Sequence, residues 1–362
     1  MLTSHISFRL LILTALVATA MPAGATPDFS ALPRTESPNL KLVKPPANPK
    51  VFNEHMPDAQ VEKLPIPKQP EKLTAALLDL EKGSIEERVA KLKKKAIADL
   101  VYVRGGSFMR GDFAKIAGIG AALTASMDDK VVKEITLSNF WMGKYKITYA
   151  EFDVFTDATG RQRTGTERKG KGRHLLIPAG AYWQEAKDYC LWLGQVTGYP
   201  FDLPTEAQWE YAARSRGQFF ATATDDGNLD YGRNSPHDIQ SKAISESYAQ
   251  TADRRYPIAL YPPNPLGLYD MAYMTWEWTN DWYAEDAYET ASKIDPLGSV
   301  SGKEKVIRSW SIWNGQILGT SIWRKTKVPI PLTQDLNDEY VPAYTYNSPT
   351  LRCVINTVQA RQ

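Results

Sequence analysis

A chain of 362 residues with 43% hydrophobic side chains has enough apolar surface for one large domain and an extension. Its 43 Lys and Arg against 41 Asp and Glu leave a net charge of +2, so no electrostatic attraction to nucleic acid or to an anionic membrane follows. Ten Trp and eighteen Tyr supply large flat rings, which fill the core of an irregular fold or line an exposed binding surface.

Arg9 precedes the apolar run LLILTALVATAM, and Ala23-Gly24-Ala25 offers small residues where a signal peptidase reads. Residues 1–25 are therefore expected to be a signal peptide cleaved after Ala25, which for a Gram-negative source means a periplasmic protein. The run is too short for a stable bilayer anchor, so no membrane span is expected after cleavage. Residues 26–70 hold ten prolines, from Pro27 to Pro70. Such a connector resists regular structure and is expected as an extended arm, either free or laid across the domain. Residues 71–99 read as helical: Leu73, Ala76, Leu77 and Leu80 share one face, Gly83 breaks the run, and Ile85, Val89 and Leu92 continue it. Lys91, Lys93, Lys94 and Lys95 read as a solvated face, with docking of an acidic partner as the other use.

From Leu100 onward strands are expected near Tyr102, Ile135 and Val306, with helices at Trp183–Leu193 and Thr205–Arg214. The first helix places Ala186, Tyr189, Cys190 and Leu193 on an inner face. The second opens with a capping box between Thr205 and Gln208, which explains its T-x-x-Q spacing without catalysis. Glu206, Glu210 and Arg214 then stand four apart, a spacing for structural ion pairs. Asp128-Asp129 and Asp225-Asp226 read as solvated turns. No G-x-S-x-G, H-E-x-x-H or Walker loop occurs, and His55, His174 and His237 lie far apart. Hydrolytic chemistry has no support in these patterns.

Several blocks carry a resemblance: LVYVRGGSFMRGD (100–112), ITLSNFWMGKYKITYAEFDVF (135–155), AGAYWQEAKDYCLWLG (179–194), LPTEAQWEYAAR (203–214), PPNPLGLYDMAYMTWEWTNDWY (262–283) and LRCV (351–354). In content and order they resemble the sulfatase-modifying-factor family, the formylglycine-generating-enzyme fold. The resemblance implies an α+β, C-type-lectin-related fold with little regular secondary structure over residues 100–357. It also implies a disulfide between Cys190 and Cys353, the only cysteines, in keeping with an oxidising compartment; two buried free thiols are the alternative. Family enzymes oxidise a substrate cysteine with copper held by two cysteines just before the closing strand. Here Gln316 and Ser321 stand at those positions, and neither suits copper(I). A structural calcium is further implied at Asp270 and Glu277, with carbonyls from Tyr273 and Thr275; otherwise the two carboxylates accept backbone hydrogen bonds. Tyr273-Met274 replaces the family's Gly-Asn there, and a second calcium locus would fall near Asp230.

Arg308 matches the arginine of the family's R-G-G-S-W block, but Ser309-Trp310 replaces the two glycines. Trp310, Trp313 and Trp323 would fill that cleft or line it, and with Arg308 they form the expected partner-binding surface. The run DLPTEAQWEYAARSRGQFF (202–220) and the Tyr-Met replacement before WEW resemble a bacterial subgroup found beside type VI secretion effector genes. The resemblance thus implies a periplasmic immunity, accessory or protein-binding role, with an exported effector or hydrolase as partner. The alternative it implies is an oxidoreductase or maturation enzyme, like siderophore-maturation members that also lack the cysteine pair.

Overall fold

The computed structural model describes residues 27–41, 54–55, 58–166, 173–248, 255–309, 321–330, 332–334, 340–342, 345 and 348–357. Pro70 lacks an amide proton, and a helix starts directly after it: Glu71–Asp79 carries Leu73 and Leu77 into the core, while Ala76 stays exposed. Gly83 turns the chain at φ +94°, and Ser84 and Glu87 exchange side-chain bonds to each other's amides. That capping box starts the Ile85–Ala98 helix, which buries Val89 and Leu92. These two helices share one core with Trp141, Phe152, Phe155, Tyr189, Trp278 and Leu351.

Four short antiparallel strands form the central sheet in the order Leu100–Val103, Phe140–Gly143, Val354–Asn356, Phe201–Asp202. A second sheet runs Lys325–Lys327, Lys305–Arg308, Glu277–Trp282, and Gly106–Arg110 pairs with Lys133–Leu137. The expected strands near Tyr102, Ile135 and Val306 are all present. The Trp183–Thr197 helix buries Ala186, Tyr189, Cys190 and Leu193 and stops at Gly198, whose φ of +82° suits a left-handed cap. The Glu206–Ala213 helix has the expected box: the Gln208 amide donates to Thr205 Oγ1 at 3.1 Å, and the Thr205 amide to Gln208 Oε1 at 3.0 Å.

Two more helices depart from the sequence reading. Tyr149–Ala158 is buried along nearly its whole length, so it lacks the one-sided apolar stripe that marks an amphipathic helix. Its signal was the cap: the Glu151 carboxylate accepts from Thr148 N and Oγ1 at 2.9 and 2.8 Å. Asp238–Ser247 is the other. The lysine cluster also divides. Lys93 and Lys94 are exposed, but Lys95 lies one turn beyond buried Leu92 and bonds Asp99 and Glu151, each at 2.7 Å.

The proline-rich arm is laid across the domain where it is described. Phe29 stacks on Trp141 at 5.4 Å, Leu32 is buried, Trp141 Nε1 donates to the Pro33 carbonyl, and Glu36 pairs with Arg216 at 3.2 Å. It also carries small regular pieces, the helical turn Asp58–Val61 and the pair Glu54–His55 against Asp230–Tyr231. Fixed proline torsions limit regular structure to such pieces. Among the described residues no helix is long and apolar enough to cross a membrane.

Candidate functional site

Three of the sequence blocks converge at the end of the central sheet. Val354 pairs with both Met142 and Asp202, and the Gly143 amide donates to the Cys353 carbonyl at 2.8 Å. This brings the closing strand under the inner face of the Trp183–Thr197 helix, where Cys190 and Cys353 form a disulfide with Cα atoms 5.7 Å apart.

The Asp270–Glu277 segment lies beside this junction, wholly buried but for a partly buried Trp276. Asp270 and Met274 adopt left-handed torsions, φ +61° and +87°, so the backbone keeps a conformation that glycine or asparagine accepts more easily. Glu277 accepts from Arg352 Nε and Nη2 at 2.8 and 3.0 Å and from Trp209 Nε1 at 3.0 Å. Lys146 Nζ stands 3.1 Å from Glu277 Oε1 and donates to the Thr275 carbonyl at 2.6 Å. Burial alone would raise the Glu277 pKa, but Arg352 and Lys146 outweigh it and hold the carboxyl down to about 2. Asp270 is tied elsewhere, to the Ala259 amide at 2.8 Å and the Tyr273 hydroxyl at 3.0 Å, and burial pushes its pKa up. The four residues expected around calcium are thus assembled, but an ammonium rather than a dication meets the Thr275 and Glu277 oxygens. They do not fit the ion in this arrangement. Lys146, which the sequence reading passed over, is the group that matters here. Near Asp230 the arrangement is similar: Arg233 binds Asp225, Asp226 and Asp230 at 2.7, 2.7 and 2.6 Å. Among the described residues no three His, Cys, Asp or Glu side chains are disposed to hold a metal.

Beside Ser321 lies a knot of buried charge. Glu206 receives Arg110 at 2.9 Å, Arg308 at 2.8 Å and Arg324 at 2.8 Å. Burial works against its ionisation, yet the three guanidinium groups hold the carboxyl far below the usual range. Glu210 accepts from Arg214 at 2.8 Å, Arg308 at 3.2 Å, the Gly111 amide at 3.0 Å and the Tyr288 hydroxyl at 2.9 Å. The Tyr288 ring lies under the guanidinium carbons of Arg110 and Arg324 at 4.0 and 4.6 Å. Asp281 is pushed up to about 7 by burial and by the neighbouring Glu206 charge, while accepting from the Glu206 amide at 2.8 Å.

Of the residues expected at the partner surface, Arg308 is instead fully buried, spent on Glu206, Glu210 and the Ser321 carbonyl. Two acidic side chains of the neighbouring helix draw it inward. Asp128 and Asp129 are likewise not in a solvated turn. Asp129 is buried against Thr124 and Lys130, and Asp128 takes Arg324 and the Tyr283 hydroxyl. Trp323 is half-buried, edge-on to half-buried Trp276 at 5.3 Å, with Lys325 Nζ 4.6 Å from its ring centre. Trp310, Trp313 and Gln316 lie outside the described residues. Ser321 Oγ donates toward the Phe220 and Ala221 carbonyls at 2.6 and 3.0 Å, so it offers copper no ligand.

Residues 86–318 match the sulfatase-modifying factor enzyme 1-like domain, well over half of the chain. The chain belongs to this family. It is 33% identical over 268 residues to the formylglycine-generating enzyme of Thermomonospora curvata, covering 59% of this chain and 82% of that enzyme. It is 30% identical over 232 residues to the serine/threonine-protein kinase Pkn1 of Chlamydia trachomatis serovar L2, covering 59% of this chain and 33% of the kinase. The chain therefore spans about a third of the length of that relative. The structure of PvdO from Pseudomonas aeruginosa shares the fold, with a TM-score of 0.51 and 22% identity over 71% of this chain and 94% of that one.

Proposed function

We propose that this family member works by binding a protein partner, and not by copper-dependent oxidation of a cysteine. The observation that supports this is covalent: the chain's only two cysteines are bonded to each other, which leaves no thiolate for copper(I). Glu206 and Glu210 are both held by arginines, so neither is a free general base. The half-buried Trp276–Trp323 pair with Lys325 is a surface of the kind that anchors protein partners. Export by the N-terminal apolar run would place that surface in the periplasm, and the partner would be an exported effector or hydrolase. An immunity or accessory role follows if that partner belongs to a type VI secretion system.

The test is capture of the partner from periplasmic extract, followed by calorimetry of the purified pair with wild-type protein and with Trp323→Ala. A stoichiometric exported partner, and affinity lost about 30-fold or more in a variant of unchanged Tm, would support the proposal. Formylglycine formation on a cysteine peptide by the copper-supplemented protein would overturn it.

A further inference from the structure

At the locus that the family resemblance gives to calcium, the charges already close. Asp270 and Glu277 bring two formal negative charges, and Lys146 and Arg352 bring two positive ones, all in residues 3% exposed or less. A dication added among them would leave a net positive charge with almost no water to solvate it. The oxygens are also committed. The Thr275 carbonyl and Glu277 Oε1 face Lys146 Nζ, Arg352 holds both Glu277 oxygens, and Asp270 is bonded to the Ala259 amide and the Tyr273 hydroxyl. Calcium needs six to eight oxygens, and the two Glu277 oxygens, each already facing two donors, could reach it only by giving up a buried bond.

We propose that Lys146 is a built-in cation that takes the place of calcium at this locus, so that the start of the Glu277–Trp282 strand is held without a metal. The position of the lysine explains how it can do so. It lies three residues past the end of the Phe140–Gly143 strand and two past Lys144, whose carbonyl accepts from the Tyr269 amide and from Arg352. One ammonium thereby ties the block around residue 146 to the block around residue 275, as a calcium bound between loops would.

The test is thermal melting with metal analysis, in an Asp225→Asn, Asp226→Asn, Asp230→Asn background that removes the surface carboxylates around Arg233 as a second cation binder. The expected result is well under one calcium per chain and the same Tm in chelator and in millimolar calcium. Lys146→Ala should lower Tm in chelator by about 5 °C or more, with calcium restoring part of the loss. Stoichiometric calcium in the Lys146 protein, or a Tm that falls on chelation, would overturn the proposal. A folded Lys146→Ala protein that melts alike with and without calcium would overturn the equivalence of ammonium and ion. If that variant does not fold, the melt of the Lys146 protein still decides.

Discussion

Ser309→Gly should make the protein more stable. Ser309 follows Arg308 where the family carries glycine, and it holds φ at +79° with its Oγ buried and unpartnered. Left-handed torsion costs a residue with a side chain about 1–2 kcal/mol. An unmet buried hydroxyl costs about 1–3 kcal/mol more. Against this, glycine loses more backbone freedom on folding, about 0.5–1 kcal/mol. The net expectation is a gain of about 1–4 kcal/mol, which for a chain of this size raises Tm by about 1–6 °C. Paired urea titrations with the disulfide intact, read as a shift in midpoint at constant slope, measure the quantity directly. An unchanged or lower midpoint would refute the reasoning. It would mean that the hydroxyl is bonded in solution or that the bonds of Arg308 depend on the serine.

Other changes test other links. Replacing Cys190 and Cys353 by Ala opens a cross-link spanning 163 residues and should cost about 3–5 kcal/mol, read from denaturant midpoints. Glu206→Gln takes the carboxylate from Arg110, Arg308 and Arg324 together; a loss of about 3–5 kcal/mol is expected, and a neutral result would show that water compensates the arginines. Asp281 should make stability fall as pH rises. Its folded pKa of about 7 lies above its unfolded value of 3.8, so the folded state binds the extra proton between those limits and loses that advantage above pH 7. Asp281→Asn should therefore melt higher than wild type at pH 8, with the difference shrinking toward pH 5; a constant difference would rule out the titration.

What the sequence could disclose followed the range of the interactions involved. Capping boxes join residues three apart, so Thr205 and Gln208 were legible and Thr148 with Glu151 could have been. The inner face of the Trp183–Thr197 helix was legible because it is buried on one side only. Tyr149–Ala158 is buried nearly all round, with Glu151 and Asp153 buried among its apolar residues, so no one-sided period marks it. Charges mislead most. Glu210 and Arg214 pair four apart as expected, but Glu206 turns to three arginines that are distant in sequence. A lysine in a polar run such as Lys144-Tyr145-Lys146 reads as solvated, because the carbonyl and carboxylate that justify its burial lie some 129 residues away.

The same distance in sequence bears on the proposed exchange of calcium for Lys146. The block-to-block junctions here are local in space and remote in sequence, and each needs positive charge placed among carbonyls and carboxylates. A metal provides that charge only while ligand geometry and metal supply hold, whereas a lysine or arginine brings it on the chain itself. Lys146 at Glu277 follows this pattern, while Arg308, an arginine the family block also carries, supplies the charge at Glu206 and Glu210. The exchange also sets a constraint on function. A guanidinium spent on two buried carboxylates cannot meet a substrate, so in the proposed binding role the contact falls to the half-buried pair Trp276 and Trp323.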